Sequence, residues 1–352
     1  MPAAPFDPRD AAAHHLLVLP GDVGPEEVDV LASSRFPRAA WEAVPGTARP
    51  GGPGRRGPVP AGVLRLSRHS TLAGPYPLDR NGVDALGVPP AAAQVYVLHA
   101  PVERGEAPWP GGGDRDGLGR AFPDGMPVRD EERVVTWLVA AARRLGGAVR
   151  IASRDDAAPA TLLVPDPAAA VDLTVWTDIW LEPEAGLAVM RQAVPRAQLD
   201  LPGAMWAGPP RGTGIVPVRG AEELDPRERV ALHAAADEAD IAALAAPRPR
   251  DVYGAIVDLE LDGLVALTVS GESDLPPVIA SVPWAAHGAV AYRISWEPFE
   301  LRERELERPS LAHVVARGRA TPLVIAVTRA VQAAVGGEIT DVMGFVVDPA
   351  DL

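Results

Sequence analysis

Between Val171 and Leu181 apolar and polar positions alternate, and the apolar ones include β-branched residues. A period of two with that composition predicts a half-buried strand. It places Val171, Leu173, Val175 and Ile179 on one face. Asp172, Thr174, Trp176, Asp178 and Trp180 fall on the other, so Trp176, Asp178 and Trp180 project together. Glu182-Pro183 then opens a helix, because proline at the first helical position loses no hydrogen bond. Leu187, Met190 and Val194 give that helix an apolar stripe, Pro195 follows its end, and Arg196 to Leu201 returns as a short edge strand.

The same reading extends along the chain. His15 to Pro20 is a short buried strand, and Pro25 to Val44 a helix broken at Pro37 with Trp41 in its second piece. Strands follow at Gly62 to Ser67 and Ala93 to Ala100. Asp130 to Leu145 carries acids in its first turn, Arg143 and Arg144 in its last, Gly146-Gly147 after it, and an apolar stripe of Val134, Trp137, Leu138, Ala141 and Leu145. These signals predict a helix in which Trp137 is core. Ala148 to Ala152 and Thr161 to Val164 read as strands. Asp225-Pro226-Arg227-Glu228 is a capping-box start for a helix reaching about Ala245. Asp262-Gly263 between Tyr253–Leu261 and Leu264–Ser270 is a hairpin signal. Ala289 to Trp296 is a further strand, Ser310 to Ala316 a short helix, Thr321-Pro322 the start of another ended by Gly336-Gly337, and Ile339 to Val347 a closing strand.

Put in order, these elements predict an α+β protein of two α/β-sandwich units with mainly antiparallel sheets and helices on one face. Residues 93–201 follow a ferredoxin-like element order. The expected organisation is an N-terminal α+β domain over 1–204, a bridge and linker helix over 205–251, and a C-terminal α+β domain over 252–352. The chain is 352 residues long, which favours more than one core. Two stretches read as flexible loops: 45–60, which is mostly Pro and Gly, and 101–127, whose glycines form no phosphate-binding motif. Asp114, Asp116 and Asp124 would repel a phosphate there, and their spacing is not that of an EF-hand. Ile179-Trp180-Leu181-Glu182-Pro183 and Ile294-Ser295-Trp296-Glu297-Pro298 echo each other between the halves.

Composition narrows the function. A net charge of −14 disfavours nucleic acid, whose affinity rests on cationic side chains, and equally an anionic membrane surface. Every basic side chain is an arginine, as codon bias in a GC-rich, bacterial-type genome would produce. There is no cysteine, which removes disulfides, thiolate nucleophiles and zinc fingers. The first residues lack a basic segment followed by an apolar one, so a cytoplasmic location without a signal peptide is expected.

The candidate chemistry is sparse. No cofactor motif is present, and no GxSxG or HExxH occurs. His69 and His99 each lie at a strand end and are the candidates for a metal or acid–base pair should those strands be neighbours. Asp178 and Glu182, flanking Trp180, and Glu297, beside Trp296, are the candidate catalytic carboxylates. Paired acids with neighbouring aromatics are what a glycosidase would use. The first reading is a non-catalytic cytoplasmic protein that binds another protein through an acidic, Trp-bearing surface of Trp176, Asp178, Trp180 and Trp296. The alternative is a hydrolase or carbohydrate-binding enzyme using the carboxylates, and a third is homo-oligomerisation through the same strand face.

Overall fold

In a computed structural model, residues 6, 13–46, 61–153, 159–200, 225–245 and 252–352 are described. Most of the 45–60 loop and the bridge over 201–224 therefore lie outside the described residues. The chain forms two antiparallel seven-stranded sheets with helices, an α+β fold.

The first sheet contains β1 (His15–Leu19), β2 (Ala40–Ala43), β3 (Gly62–Arg65), β4 (Thr71–Pro77), β5 (Gln94–His99), β6 (Ala148–Ile151) and β7 (Thr161–Leu163), in the order β2-β3-β4-β5-β1-β6-β7. Helices α1 (Pro25–Arg35) and α4 (Arg129–Arg144) cover one face through Val28, Leu31, Val134 and Leu138, and α2 (Arg80–Leu86) covers the other through Val83 and Leu86. A four-residue helix, α3 (Leu118–Ala121), interrupts the 101–127 stretch. Asp114 caps it by accepting from the Gly119 and Arg120 amides, and Asp116 pairs with the buried Arg143.

The second sheet contains β8 (Leu173–Thr177), β9 (Gln198–Asp200), β10 (Val252–Asp258), β11 (Leu264–Glu272), β12 (Ala289–Glu297), β13 (Glu338–Asp341) and β14 (Val346–Val347), ordered β9-β10-β11-β12-β8-β13-β14. Helices α5 (Pro183–Ala193) and α8 (Leu311–Val335) cover one face, and the β11–β12 connection, with α7 (Pro277–Ala280), covers part of the other. Helix α6 (Pro226–Ala245) lies between β9 and β10 in sequence.

Hydrogen bonding corrects the expected division. β8 and β9, expected within 1–204, pair with β12, β13 and β10, so the second unit starts at β8. The ferredoxin-like order over 93–201 is therefore not carried by one sheet: β5, β6 and β7 lie in the first and β8 and β9 in the second. Nor are helices confined to one face. Two local readings also change. After Pro37 the chain continues as β2 rather than as helix, and α8 runs unbroken through Pro322.

The two sheet orders are the same once β1–β7 are matched with β8–β14. Residues 15–41 align onto 173–199 without a gap, with identities at Pro25/Pro183, Glu26/Glu184, Pro37/Pro195, Arg38/Arg196 and Ala39/Ala197. Both first helices have 11 residues and begin on the proline. The Phe36 amide donates to Ala32 O at 2.8 Å, and at the matching place the Val194 amide donates to Met190 O at 2.9 Å. Register agrees as well. Trp41, Leu64, Leu72, Leu98 and His15 lie in one cross-strand row, and Leu199, Ala255, Leu267, Ile294 and Leu173 in its counterpart. The chain is thus a tandem repeat of one unit. The Ile179–Pro183 and Ile294–Pro298 echo is out of register with it, because β8 matches β1 and not β12.

The units interlock. The turn between β13 and β14 sends Phe345, 1% exposed, and Met343 into the core of the first unit.

Candidate functional site

Where β12 ends and α8 begins, the chain builds a polar seam and leaves an apolar surface above it. Trp296 is buried; its indole Nε1 donates to Asp262 O at 2.8 Å and its amide to Asp172 Oδ1 at 2.9 Å. Arg304 pairs with Asp172 at 2.5 Å and Arg317 with Asp166 at 2.6 Å. The His313 ring lies 5.0 Å from that of Trp296, and the His313 amide is capped by Ser310 Oγ. Burial, and then Arg317, depress the His313 pKa, so the ring is neutral. Its Nδ1 has no partner among the described residues, and His313 lines a cavity of about 60 Å³, large enough for a bound water. This seam seats the 299–309 segment.

Above it, Leu261, Phe299 and Leu311 are 86%, 80% and 78% exposed, and Leu301 and Val315 are exposed beside them. Leu311, Val315 and Arg319 share one stripe of α8, and Arg319 reaches Asp262, next to Leu261, at 3.3 Å. Gly263, at φ +90°, packs against the backbone of Glu297 and Pro298, so the turn that carries Leu261 lies beside the strand end that leads into Phe299. Large apolar side chains gathered in this way and rimmed by charged residues such as Glu300, Arg302 and Arg308 are a recognised feature of interaction surfaces.

No family model, curated protein or solved structure matches this chain. Among the described residues no helix is long and apolar enough to cross a membrane.

The residues singled out in the sequence do not share a surface. Trp176 is 5% exposed, packs with Ile279 and Ala291, and donates from Nε1 to Thr340 Oγ1 at 2.9 Å. Trp180 lies past the end of β8 and packs edge-on against Tyr253, in the core on the opposite face. Trp296 is in the seam. An exposed face combining the three is thereby corrected. Asp178, Glu182 and Glu297 are exposed. Asp178 and Glu182 follow the end of β8 that pairs with Val290, whereas Glu297 pairs with Leu264. Val290 and Glu297 are seven residue steps apart along β12, about 23 Å, so these carboxylates do not converge on one substrate atom. Asp178→Ala and Glu182→Ala are each expected to change stability by no more than about 0.5 kcal/mol in urea unfolding, since neither side chain caps or pairs with anything in the described residues.

His99 pairs across the sheet with Thr71, and its ring meets His14 at 4.6 Å rather than His69. Burial, and then His14, lower the His99 pKa. His69 is exposed in the β3–β4 turn. Among the described residues no group of three metal-ligating side chains occurs.

Sequence reasoning missed Leu261, Phe299, Leu301 and Leu311. The available signal was apolar residues inside the charged run Glu297–Pro309, and apolar positions on α8 off its buried stripe of Ala316, Ala320, Val324, Val327 and Val331.

Proposed function

We propose that this is a non-catalytic cytoplasmic binding protein whose partner is another protein. The contact surface is the apolar end of the second unit, in place of a tryptophan-bearing strand face. The observation that carries this reading is the exposure of Leu261, Phe299 and Leu311 together. Leaving three such side chains in water forgoes roughly 1.5–3 kcal/mol of burial each, which a partner recovers. The strong negative charge of the chain keeps the unbound protein dispersed despite the patch. No specific geometry supports the hydrolase alternative.

A photo-crosslinking residue placed at Phe299, with one at the equally accessible Val44 of the first unit as control, tests the proposal in the native host. A discrete heteromeric adduct from position 299 and none from 44 is expected. Phe299→Asp should then weaken that partner at least tenfold, as for an interface hot spot, with an unchanged melting temperature. A lack of adduct, or equal labelling from both positions, rejects this surface. An adduct of twice the chain mass replaces it with self-association.

A further inference from the structure

The repeat makes one face of the second unit informative, because the first unit shows what the same positions look like when they are only structural. In the first sheet the row Ala73, Val97, Leu16 runs across β4, β5 and β1, with Val18 and Val95 beside it, and α2 roofs it with Val83 and Leu86. The matching row in the second sheet is Thr268, Arg293, Thr174 and Thr340, across β11, β12, β8 and β13. Aliphatic residues have been exchanged for hydroxyls and a guanidinium at Thr268, Arg293 and Thr174, whereas the first-sheet counterpart of Thr340 is itself polar, Arg150. The roof has retreated too. The β11–β12 connection packs Ile279 and Ala285, with the partly buried Leu275, Val278 and Trp284, around Trp176 and Ala291, beside the polar row.

What remains is an open groove of about 660 Å³, floored by the polar row and Ser295 and walled by Leu275 to Pro277, by the 342–344 turn and by Arg35 of the first unit. That is within the range of small-molecule sites. Thr174, Thr268 and Ser295 have hydroxyls with no hydrogen-bond partner among the described residues, and each residue is half-buried. Arg293 is held in place by Glu272 at 2.8 Å and Ser270 Oγ at 2.7 Å, with its guanidinium 5.9 Å from the centre of the Trp176 ring.

The chemistry of this floor selects its occupant. An apolar helix laid here, as α2 is laid on the first sheet, would bury those hydroxyls and the remaining Arg293 donors without partners, which is costly. The occupant must bring hydrogen-bonding groups of its own, and hydroxyls, which both donate and accept, answer such a floor. It need bring no net charge, because Arg293 is answered by Glu272 and Asp172 by Arg304. Arg35 and Asp274 on the rim are one of each sign, and the Asp341 carboxylate accepts from the Met343 and Phe345 amides. We infer that the groove between the units is a binding site for a small neutral polyhydroxyl compound of mono- or disaccharide size. Its ligand hydrogen-bonds to Thr174, Thr268, Ser295 and the free donors of Arg293. This site is separate from the apolar end surface and does not depend on the protein-partner reading.

Saturation-transfer NMR on the full chain tests it. The probes are glucose, galactose, mannose, myo-inositol, maltose and trehalose at millimolar concentration, with glycine, glutamate and tetra-alanine as the other ligand classes. Transfer to at least one polyol is expected. The double variant Thr174→Val/Thr268→Val, which restores the aliphatic character of the first unit, should lower that affinity at least tenfold, while Thr161→Val on the first sheet leaves it unchanged. Should the double variant fail to fold, Ser295→Ala reads the same floor and should weaken binding several-fold. The inference is overturned by no transfer to any polyol, by transfer that survives the substitutions, or by transfer to the amino acids or the peptide alone.

Discussion

Replacing Glu131 by Gln is expected to destabilise the protein by about 3–5 kcal/mol, the cost of removing one partner from a buried ion pair. Glu131 is 1% exposed on α4. Its carboxylate pairs with Arg104, accepts from the Glu103 amide at 2.7 Å, and lies 3.4 Å from His15 Nε2. Arg104 is itself largely buried, with its guanidinium 4.4 Å above the Phe122 ring. A neutral amide would leave that cation uncompensated in a water-poor site. Glu103 and Arg104 belong to the long 101–127 segment, so the network fastens that segment to the sheet, and the variant should also become cleavable there. Replacing both partners, Arg104→Leu/Glu131→Leu, should cost less than the single change, because no charge is then stranded.

The acid dependence of this effect has a definite sign. Burial alone would raise the Glu131 pKa, but the bonds from His15, Arg104 and the Glu103 amide outweigh it and hold it below the usual value. A depressed carboxylate contributes stability that is present above the unfolded pKa of about 4.3 and is lost as pH falls through the folded one. Urea unfolding at neutral pH should therefore show the full gap between wild type and Glu131→Gln, and the gap should close in acid. A gap that is small at neutral pH would mean the network contributes little, and one that persists below the folded pKa would mean that the loss does not come from the carboxylate charge.

Helix α4 was legible because each of its signals is local: acids and arginines at opposite ends, a terminal Gly pair and one apolar stripe. It spans Arg129–Arg144 against an expected 130–145. The hairpin at Asp262-Gly263 was legible for the same reason, and Gly263 takes φ +90° there. Where tertiary pairing decides, the local signal failed. Pro37 ends α1 as read, but Trp41 then enters a strand because Leu64 is there to pair with it. Pro322 did not end a helix. The buried stripe from Ala316 to Val335 continues on both sides of it, and the missing N–H leaves only the Gly318 carbonyl without its usual donor.

The tryptophans show why the site was less legible than the fold. The alternation through Thr177 was right, and it places Trp176 opposite Val175. What the strand cannot encode is that its second face is also covered, by Ile279 from a connection a hundred residues later. Nor does the alternation extend past Thr177, so Trp180 turns to the other core. The repeat was hidden because most of its matched positions differ in residue type. What is kept is register and a few turn residues, and register is visible only once strands are paired.

Gly337→Ala should be among the most damaging single changes in the second unit, costing about 3 kcal/mol or more. Gly337 has φ +86°, where a side chain is strained, and a Cβ there would collide with the carbonyl oxygen of Trp176 on the neighbouring strand. That oxygen is backbone in the middle of a sheet and cannot swing away, so β13 would have to part from β8. Gly147 is its counterpart in the first unit. A Cβ there would collide with the carbonyl of Val18, the residue matched with Trp176, but the backbone is not in the left-handed region. Gly147→Ala therefore carries the collision without the strain and should cost less. Gly336→Ala, at φ +67° with nothing within 4 Å, carries strain without collision and should cost about 1 kcal/mol. Chemical unfolding of the three variants gives the order. Gly337 as the most sensitive of the three, with Gly147 also intolerant, would mean that both units depend on the same close approach of backbone to backbone at matched positions. Tolerance at both Gly147 and Gly337 would show that neither unit needs it, and would remove this physical constraint from the case for two copies of one fold.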